Sequence, residues 1–102
     1  DVPFKCGECE DSVIVEDCPS ACAVSNVLTG IAIMGTKLKQ IHKSHLQPYK
    51  KLYICLDRDA TTKAYDMAKD LRSSGFENVI VKPLEDDLKY YDTEQIRRMF
   101  YE

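Results

Sequence analysis

The sequence lacks any apolar run of about 20 residues, the length that a membrane-spanning helix needs. The segment 1–9 has no apolar stretch of the kind found in secretory signal peptides, so we expect neither membrane insertion nor secretion. There is no initiator methionine, and we therefore expect a processed product or a piece of a longer protein. Repeats, low-complexity tracts and linkers are also missing. The 102 residues, of which 44% are hydrophobic and 30% charged, are typical of one domain.

An excess of basic residues is missing as well. The formal net charge is −3 at pH 7 and the isoelectric point is near 5.4, which argues against a protein that coats nucleic acid through general positive charge. A global sum hides local asymmetry, however. Basic residues gather in the segment 37–58, and acidic residues are concentrated in the segment 85–94.

The cysteines do not come in an even number. Five cysteines cannot all pair within one chain, so we expect reduced cysteines and a cytoplasmic protein. Cys6-x-x-Cys9 and Cys18-x-x-x-Cys22 together supply four thiolates, the number that tetrahedral zinc takes. Cys18 and Cys22 fall at the start of a predicted helix, where cysteines commonly pack as small apolar residues. Packing is therefore favoured, and a zinc site within this chain is the alternative.

Short apolar runs alternate with segments of helical periodicity along the chain. This alternation predicts an α/β fold, with a parallel sheet, right-handed crossovers and helices on both faces. We expect about four mainly parallel strands in one domain at 12–102, with 1–11 as an N-terminal extension or the edge of an upstream module. The predicted strands are 12–16, 31–34, 52–56 and 79–81, and the predicted helices are 18–28, 37–49, 60–71 and part of 84–102.

Acidic or small polar residues stand where the predicted strands end: Glu16, Gly35-Thr36, Asp57 with Asp59, and the segment 85–87. Because the carboxyl ends of parallel strands border the binding crevice of such sheets, we expect these residues to lie together. Two carboxylates about 4 Å apart repel by roughly 4 kcal/mol at an effective dielectric constant near 20. A hard divalent cation such as Mg²⁺ would offset this repulsion. The alternative for Asp59 is a helix cap.

Four segments carry a resemblance to a known family: Val13-Ile14-Val15-Glu16-Asp17, Ser20-Ala21, Met34-Gly35-Thr36 and Leu56-Asp57-Arg58-Asp59-Ala60. They resemble the Toprim domain, the catalytic fold shared by bacterial-type primases, topoisomerases and some nucleases. The similarity runs from about 12 to 96 and is closest to the primase part of bacteriophage primase-helicases, whose third acidic motif is similar to 84–91. The resemblance implies a compact, Rossmann-like Toprim fold over 12–102. It also implies metal-dependent nucleotidyl transfer, with RNA primers made on single-stranded DNA; nucleic-acid cleavage is the alternative.

The resemblance also assigns roles to acidic residues. It implies that Glu16 is the catalytic glutamate, acting as a general acid or base or helping to hold a metal. Asp57 and Asp59 would bind Mg²⁺, with Mn²⁺ as the alternative ion, and Asp87 would complete a second metal site. Many family members have glycine after the glutamate and a further acid four residues after it. This chain has Asp17 and Ser20 there, which weakens the case for a carboxylate from the first helix.

The basic segment suggests how phosphate would be bound. The candidates for contact with backbone phosphates or a nucleoside triphosphate are Lys37, Lys39, Lys43 and Arg58. A solvated helix face is the alternative for the lysines, and His42 and His45 are expected to be partly exposed members of that face. The expected partners are a single-stranded DNA template, nucleoside triphosphates, and a fused or associated helicase and zinc-binding domain, with no membrane.

Two further classes compete with this interpretation. A phosphate-receiver domain also has acids after its first strand, an aspartate after its third strand and a lysine after its last strand. In this chain the corresponding residues would be Glu16-Asp17, Asp57 and Lys82. Only 25 positions separate Asp57 from Lys82, which leaves no room for the additional strand that a receiver has between them. The other class is a Toprim-like domain that binds nucleic acid or a partner without catalysis.

Overall fold

Strands form where the sequence has short β-branched or aliphatic runs, and helices form where apolar residues recur at helical spacing. The computed structural model describes residues 3–34, 40–83 and 88–101. The strands are β1 (Phe4–Cys6), β2 (Ser12–Val15), β3 (Thr29–Ala32), β4 (Leu52–Ile54) and β5 (Val79–Val81). The helices are α1 (Cys18–Ala23), α2 (Gln40–Leu46), α3 (Thr61–Ser73) and α4 (Thr93–Tyr101), with short 3₁₀ turns at Arg58–Ala60 and Leu88–Tyr90.

The five strands form one sheet in the order β1-β3-β2-β4-β5. β2 is parallel to both β3 and β4, and β4 is parallel to β5, whereas β1 runs antiparallel to β3 at one edge. The predicted α/β class and mostly parallel sheet are therefore confirmed. The sheet has one strand more than the four that were predicted. β1 was not recognised, because its three residues are too few to show a strand-like alternation of apolar residues. The structure places 4–6 in the same sheet as the rest.

Helices cover the sheet on both faces. Residues of α1 and α4 pack with Val13, Val15 and Tyr53 on one face, and residues of α2 and α3 pack with Ile14 and Ile54 on the other. Every residue of the central strand β2 is buried, as expected for a strand with both faces covered. No helix within the described ranges is long and apolar enough to cross a membrane.

The segment between β2 and β3 differs from the prediction. α1 ends at Ala23 instead of Leu28, and residues 24–27 form turns. Gly30, expected just beyond the helix, lies inside β3, which begins two residues earlier than predicted. A Cβ at Gly30 would lie 2.6 Å from the Cα of Ala21, so the helix backbone packs directly on the strand. Only glycine permits this approach.

Other boundaries agree more closely with the predictions. α3, predicted to end at residue 71, ends at Ser73 near Gly75, which has a φ of 103° and provides a left-handed cap. Ile96 and Phe100 of α4 are buried, in the part of the chain where the last helix was predicted. His42, expected to be partly exposed, is buried. Helical spacing alone did not show which side of α2 faces the sheet.

The strand order creates a switch in direction at the centre of the sheet. From β2 the chain crosses through α1 to β3 on one side, and from β3 it returns through α2 to β4 on the other side of β2. The connections that leave β2 and β4 therefore diverge. In open α/β sheets, ligands bind in the crevice outside the carboxyl ends of the strands at such a point.

Candidate active site

Glu16 and Asp57 meet at this switch point. Glu16 directly follows β2, and Asp57 comes three residues after β4. The pairing of β4 with β2 continues beyond β4, because the Cys55 amide donates a hydrogen bond to the Ile14 carbonyl at 2.9 Å. The backbone amide of Asp57 donates a hydrogen bond to Oε1 of Glu16 at 3.1 Å. The ends of the two central strands are thus joined through a carboxylate predicted to be catalytic.

Asp59 reaches the same end of the sheet through a tight turn. The Ala60 amide donates to the Asp57 carbonyl at 2.8 Å, which closes the 3₁₀ turn Arg58–Ala60. α3 begins at Thr61 and its N-cap is Ala60, so Asp59 does not occupy the capping position that was its alternative role. Asp57 is half-buried, whereas Arg58 and Asp59 are exposed.

The environment of Glu16 disfavours its charge. Burial raises the pKa of the Glu16 carboxyl, and the nearby charges of Asp57 and Asp59 raise it further, although the hydrogen bond from the Asp57 amide acts to lower it. Interaction with the Asp57 side chain also raises this pKa. The three acidic residues therefore share one region of negative potential.

Asp17 has a structural role. Its Oδ1 accepts a hydrogen bond from the Ser20 amide at 2.9 Å, which makes Asp17 the N-cap of α1. An aspartate in this position typically stabilises a helix by about 1 kcal/mol. With Asp17 as its cap, α1 begins at Cys18, two residues after Glu16. Helix capping thus accounts for an aspartate at this position.

The end of β3 approaches the same region. The Ile33 amide donates to the Val15 carbonyl at 3.1 Å, next to Glu16. Met34 follows with a φ of 58°, a left-handed conformation that non-glycine residues seldom adopt, and its Sδ accepts a hydrogen bond from Sγ of Cys18 at 3.7 Å. Backbone strain of this kind is concentrated at functional sites. The sequence motif included Met34, but its conformation carries no recognisable sequence signal.

Lys82 brings a positive charge to this edge of the sheet. Its amide donates to the Ile54 carbonyl at 3.0 Å, just beyond β5. Burial raises the pKa of the Cys55 thiol to about 12, and the nearby charge of Lys82 acts in the opposite direction. The sequence pointed to Lys82 only through the phosphate-receiver alternative. In the structure it lies near the carboxyl end of β4, the strand that leads to Asp57.

The structure brings some predicted site residues together and separates others. Glu16, Asp57 and Asp59 lie together, with Arg58 exposed between the two aspartates. Lys43 lies elsewhere, because its Nζ contacts Asp70 at 3.1 Å and Ser74 at 2.9 Å. These partners belong to the end of α3, which returns to the amino ends of the strands. Three further candidates, Lys37, Lys39 and Asp87, lie outside the described residues.

The acidic residues suit a hard cation by their chemistry. Carboxylate oxygens are the ligands that Mg²⁺ and Mn²⁺ accept, and the mutual repulsion around Glu16 is what a divalent ion would relieve. Within residues 3–34, 40–83 and 88–101, no group of three or more His, Cys, Asp or Glu side chains is arranged so that it could hold a metal ion.

Comparison of the chain with family models, with curated proteins and with solved structures found no match.

Proposed function

We propose that this chain is a Toprim-type catalytic domain that carries out metal-dependent nucleotidyl transfer, as the core of a phage-like DNA primase. In this proposal it joins ribonucleotides into RNA primers on single-stranded DNA. The observation that supports the proposal is the bond from the Asp57 amide to Glu16 Oε1, at the carboxyl ends of two adjacent parallel strands. That bond lies where α/β sheets bind ligands.

The acidic residues have distinct roles in this proposal. Asp57 and Asp59 hold Mg²⁺, or Mn²⁺ in its place, since they leave the same turn after β4. The ion, when bound, neutralises phosphate charge and orients the reacting groups. Glu16 acts as the general acid or base. Its burial and acidic neighbours favour the protonated carboxyl, and its Oε1 is oriented by the Asp57 amide.

Two basic residues are suited to the substrate. Arg58 is exposed between the two aspartates, and Lys82 stands near the end of the neighbouring strand. Both contact phosphate groups of the template or of a nucleoside triphosphate in this proposal, because phosphate contacts are made chiefly by Arg and Lys side chains. A helicase and a zinc-binding template reader, fused or associated, are the proposed protein partners.

Primer synthesis is the test of this function. The chain, alone and with added zinc-binding and helicase domains, is incubated with single-stranded templates, labelled ribonucleotides and Mg²⁺ or Mn²⁺. We expect template-dependent dinucleotides and short primers, and their loss in Glu16→Ala. Glu77→Ala is the matched control, since Glu77 is an exposed glutamate near the amino end of β5.

Three outcomes separate the alternatives. Synthesis that survives Glu16→Ala would overturn the proposed role of Glu16. Shortening of labelled DNA or RNA that depends on Mg²⁺ and Glu16, without primer synthesis, would identify a nuclease. Binding of single-stranded DNA with neither reaction would identify a non-catalytic domain.

A further inference from the structure

Strand β1 and helix α1 place two cysteines next to each other. Cys6, the last residue of β1, is aligned with Gly30 of β3. Gly30 lies against α1, since a Cβ there would be 2.6 Å from the Cα of Ala21, and Cys22 is the next residue of the helix. The register of β1 and the close packing of α1 therefore bring Cys6 and Cys22 to the same place, although 15 residues lie between them.

A second close approach holds the two segments in this relation. Gly7 has a φ of 104°, and a Cβ at this position would be 2.9 Å from the Ser25 carbonyl oxygen. The chain just after Cys6 thus touches the chain just after α1. Interaction with the Cys6 thiol raises the pKa of the Cys22 thiol, as does burial. Together with the two close backbone approaches, this places the two thiols near each other.

The other three cysteines have different surroundings. The Cys18 thiol donates to Met34 at 3.7 Å, and Cys55 is buried between the sheet and its helices. The Cys9 amide and carbonyl are held by the hydroxyl of Thr29 at 2.8 and 2.9 Å. Cys22 is exposed and Cys6 is half-buried. A small reagent in solution therefore has access to the Cys6–Cys22 pair through Cys22.

We propose that Cys6 and Cys22 are a redox-active pair that closes to an intramolecular disulfide by exchange with a low-molecular-weight disulfide. The Cys22 thiolate attacks one sulfur of the reagent, which forms a mixed disulfide and expels one small thiolate. The Cys6 thiolate then attacks Sγ of Cys22 and expels the second small thiolate. The two protein thiols are oxidised, the reagent is reduced to two thiols, and the two protein protons go to the leaving thiolates.

The bond would join the edge strand β1 to α1. It would close the segment 6–22 into a loop, and cross-links of this kind stabilise a fold mainly by restricting the unfolded chain. The site is independent of the proposed catalysis, because it requires neither a metal nor Glu16.

Peptide mapping tests this pairing directly. The reduced chain is treated with glutathione disulfide, residual thiols are alkylated, and the protein is digested with trypsin and a glutamyl endopeptidase. Cleavage after Lys5, Glu8, Glu16 and Lys37 separates Cys6 from Cys9 and from the helix cysteines. We expect peptide 6–8 linked to peptide 17–37, an intact mass lower by two hydrogen atoms, and a fall from five free thiols to three.

Four variants identify the partners. The link should persist in Cys18→Ser and Cys9→Ser and should be lost in Cys22→Ser and Cys6→Ser, with circular dichroism confirming that each variant is folded. The thermal midpoint should rise on oxidation and return with reductant in the wild type, but not change in Cys22→Ser. A Cys6–Cys9 link, a link that survives Cys22→Ser, or glutathione adducts without a link would overturn the proposal.

Discussion

The backbone amide of Asp57 donates a hydrogen bond to Oε1 of Glu16 across a separation of 41 positions in the sequence. One residue follows β2 and the other follows β4, so this bond depends on the parallel pairing of the two strands. The acidic side chains gathered around it repel one another. Such repulsion at the end of a sheet is destabilising unless a proton or a cation offsets it.

Glu16→Gln should stabilise the metal-free protein near neutral pH and abolish the proposed nucleotidyl transfer. Glutamine keeps the oxygen that accepts the Asp57 amide but removes a charge next to Asp57 and Asp59. We expect a gain of up to about 1 kcal/mol, the usual range for partly exposed charges. Urea denaturation of both proteins at pH 7 measures it.

The pH dependence of the stability gained by Glu16→Gln follows from the direction in which folding shifts the pKa of Glu16. Because folding raises the pKa of Glu16, the native state favours the protonated carboxyl, and the penalty for ionising it is absent below the unfolded pKa of about 4.3. The penalty develops as the pH rises through the folded pKa. The advantage of Glu16→Gln should therefore vanish near pH 3.5. An equal difference in unfolding free energy between Glu16→Gln and the wild type at neutral pH and near pH 3.5 would argue against the electrostatic explanation.

Arg58 and Lys43 should differ in their effect on DNA binding. Arg58→Gln should weaken binding of a single-stranded oligonucleotide and reduce the slope of log K against log salt by about 1, as expected for one phosphate contact. Lys43→Gln should leave binding unchanged and cost about 0.2–1 kcal/mol of stability, because Lys43 pairs with Asp70. Fluorescence anisotropy at several salt concentrations measures DNA binding by the two variants. Urea denaturation measures the stability of Lys43→Gln. Equal slopes for the two variants would contradict the placement of the phosphate contacts.

Gly30→Ala should destabilise the fold strongly. The added methyl group would overlap the backbone of Ala21, which cannot move without displacing α1 from β3. Overpacking of this kind costs about 1–3 kcal/mol or more. Gly75→Ala is a useful comparison, since its Cβ would meet no atom within 4 Å and only the φ of 103° is strained, at about 1–2 kcal/mol. Thermal unfolding measures the stability of both variants. A smaller loss of stability for Gly30→Ala than for Gly75→Ala would contradict the close approach of α1 to β3.

Tyr101→Phe should make the protein less sensitive to alkali. The Tyr101 hydroxyl donates to Oδ2 of Asp11 at 2.8 Å, and burial together with this bond raises the pKa of the phenol. Its stabilising effect is thus complete below the unfolded pKa of about 10 and is lost as the pH rises through the folded pKa. The variant should lose about 1 kcal/mol at pH 7. Its stability should then fall less steeply than that of the wild type above pH 10.

Tyr65→Phe controls for the loss of a phenol, since Tyr65 is exposed on α3. It should match the wild type at both neutral and alkaline pH. If Tyr101→Phe and the wild type lose stability equally above pH 10, the bond to Asp11 does not account for the alkaline sensitivity.

The sequence predicted the acidic end of the sheet because the signal is local. A β-branched run that stops at Glu16 and an aliphatic run that stops before Asp57 mark two strand ends, and the parallel arrangement brings them together. No long-range information was needed beyond the alternation of strands and helices. The position of Asp59 followed from its place in the same turn.

Features that depend on contacts between distant segments were not predictable in this way. The pairing of β1 with β3 involves only three residues of each strand, and the proximity of Cys6 to Cys22 depends on that pairing and on the packing of α1. Helical spacing predicted α2 but not the burial of His42. The position of Lys82 depends on the pairing of β5 with β4.

A titration with Mg²⁺ followed through backbone amide resonances tests the central claim most directly. We predict that the Asp57 amide, which bonds to Glu16, shifts together with the amides of Arg58 and Asp59, and that Mn²⁺ broadens the same signals. Asp59→Asn should weaken the response, and Asp66→Asn, which removes an exposed acid of α3, should not. No response at these amides, or an equal response in Asp59→Asn, would contradict a cation site at the ends of β2 and β4.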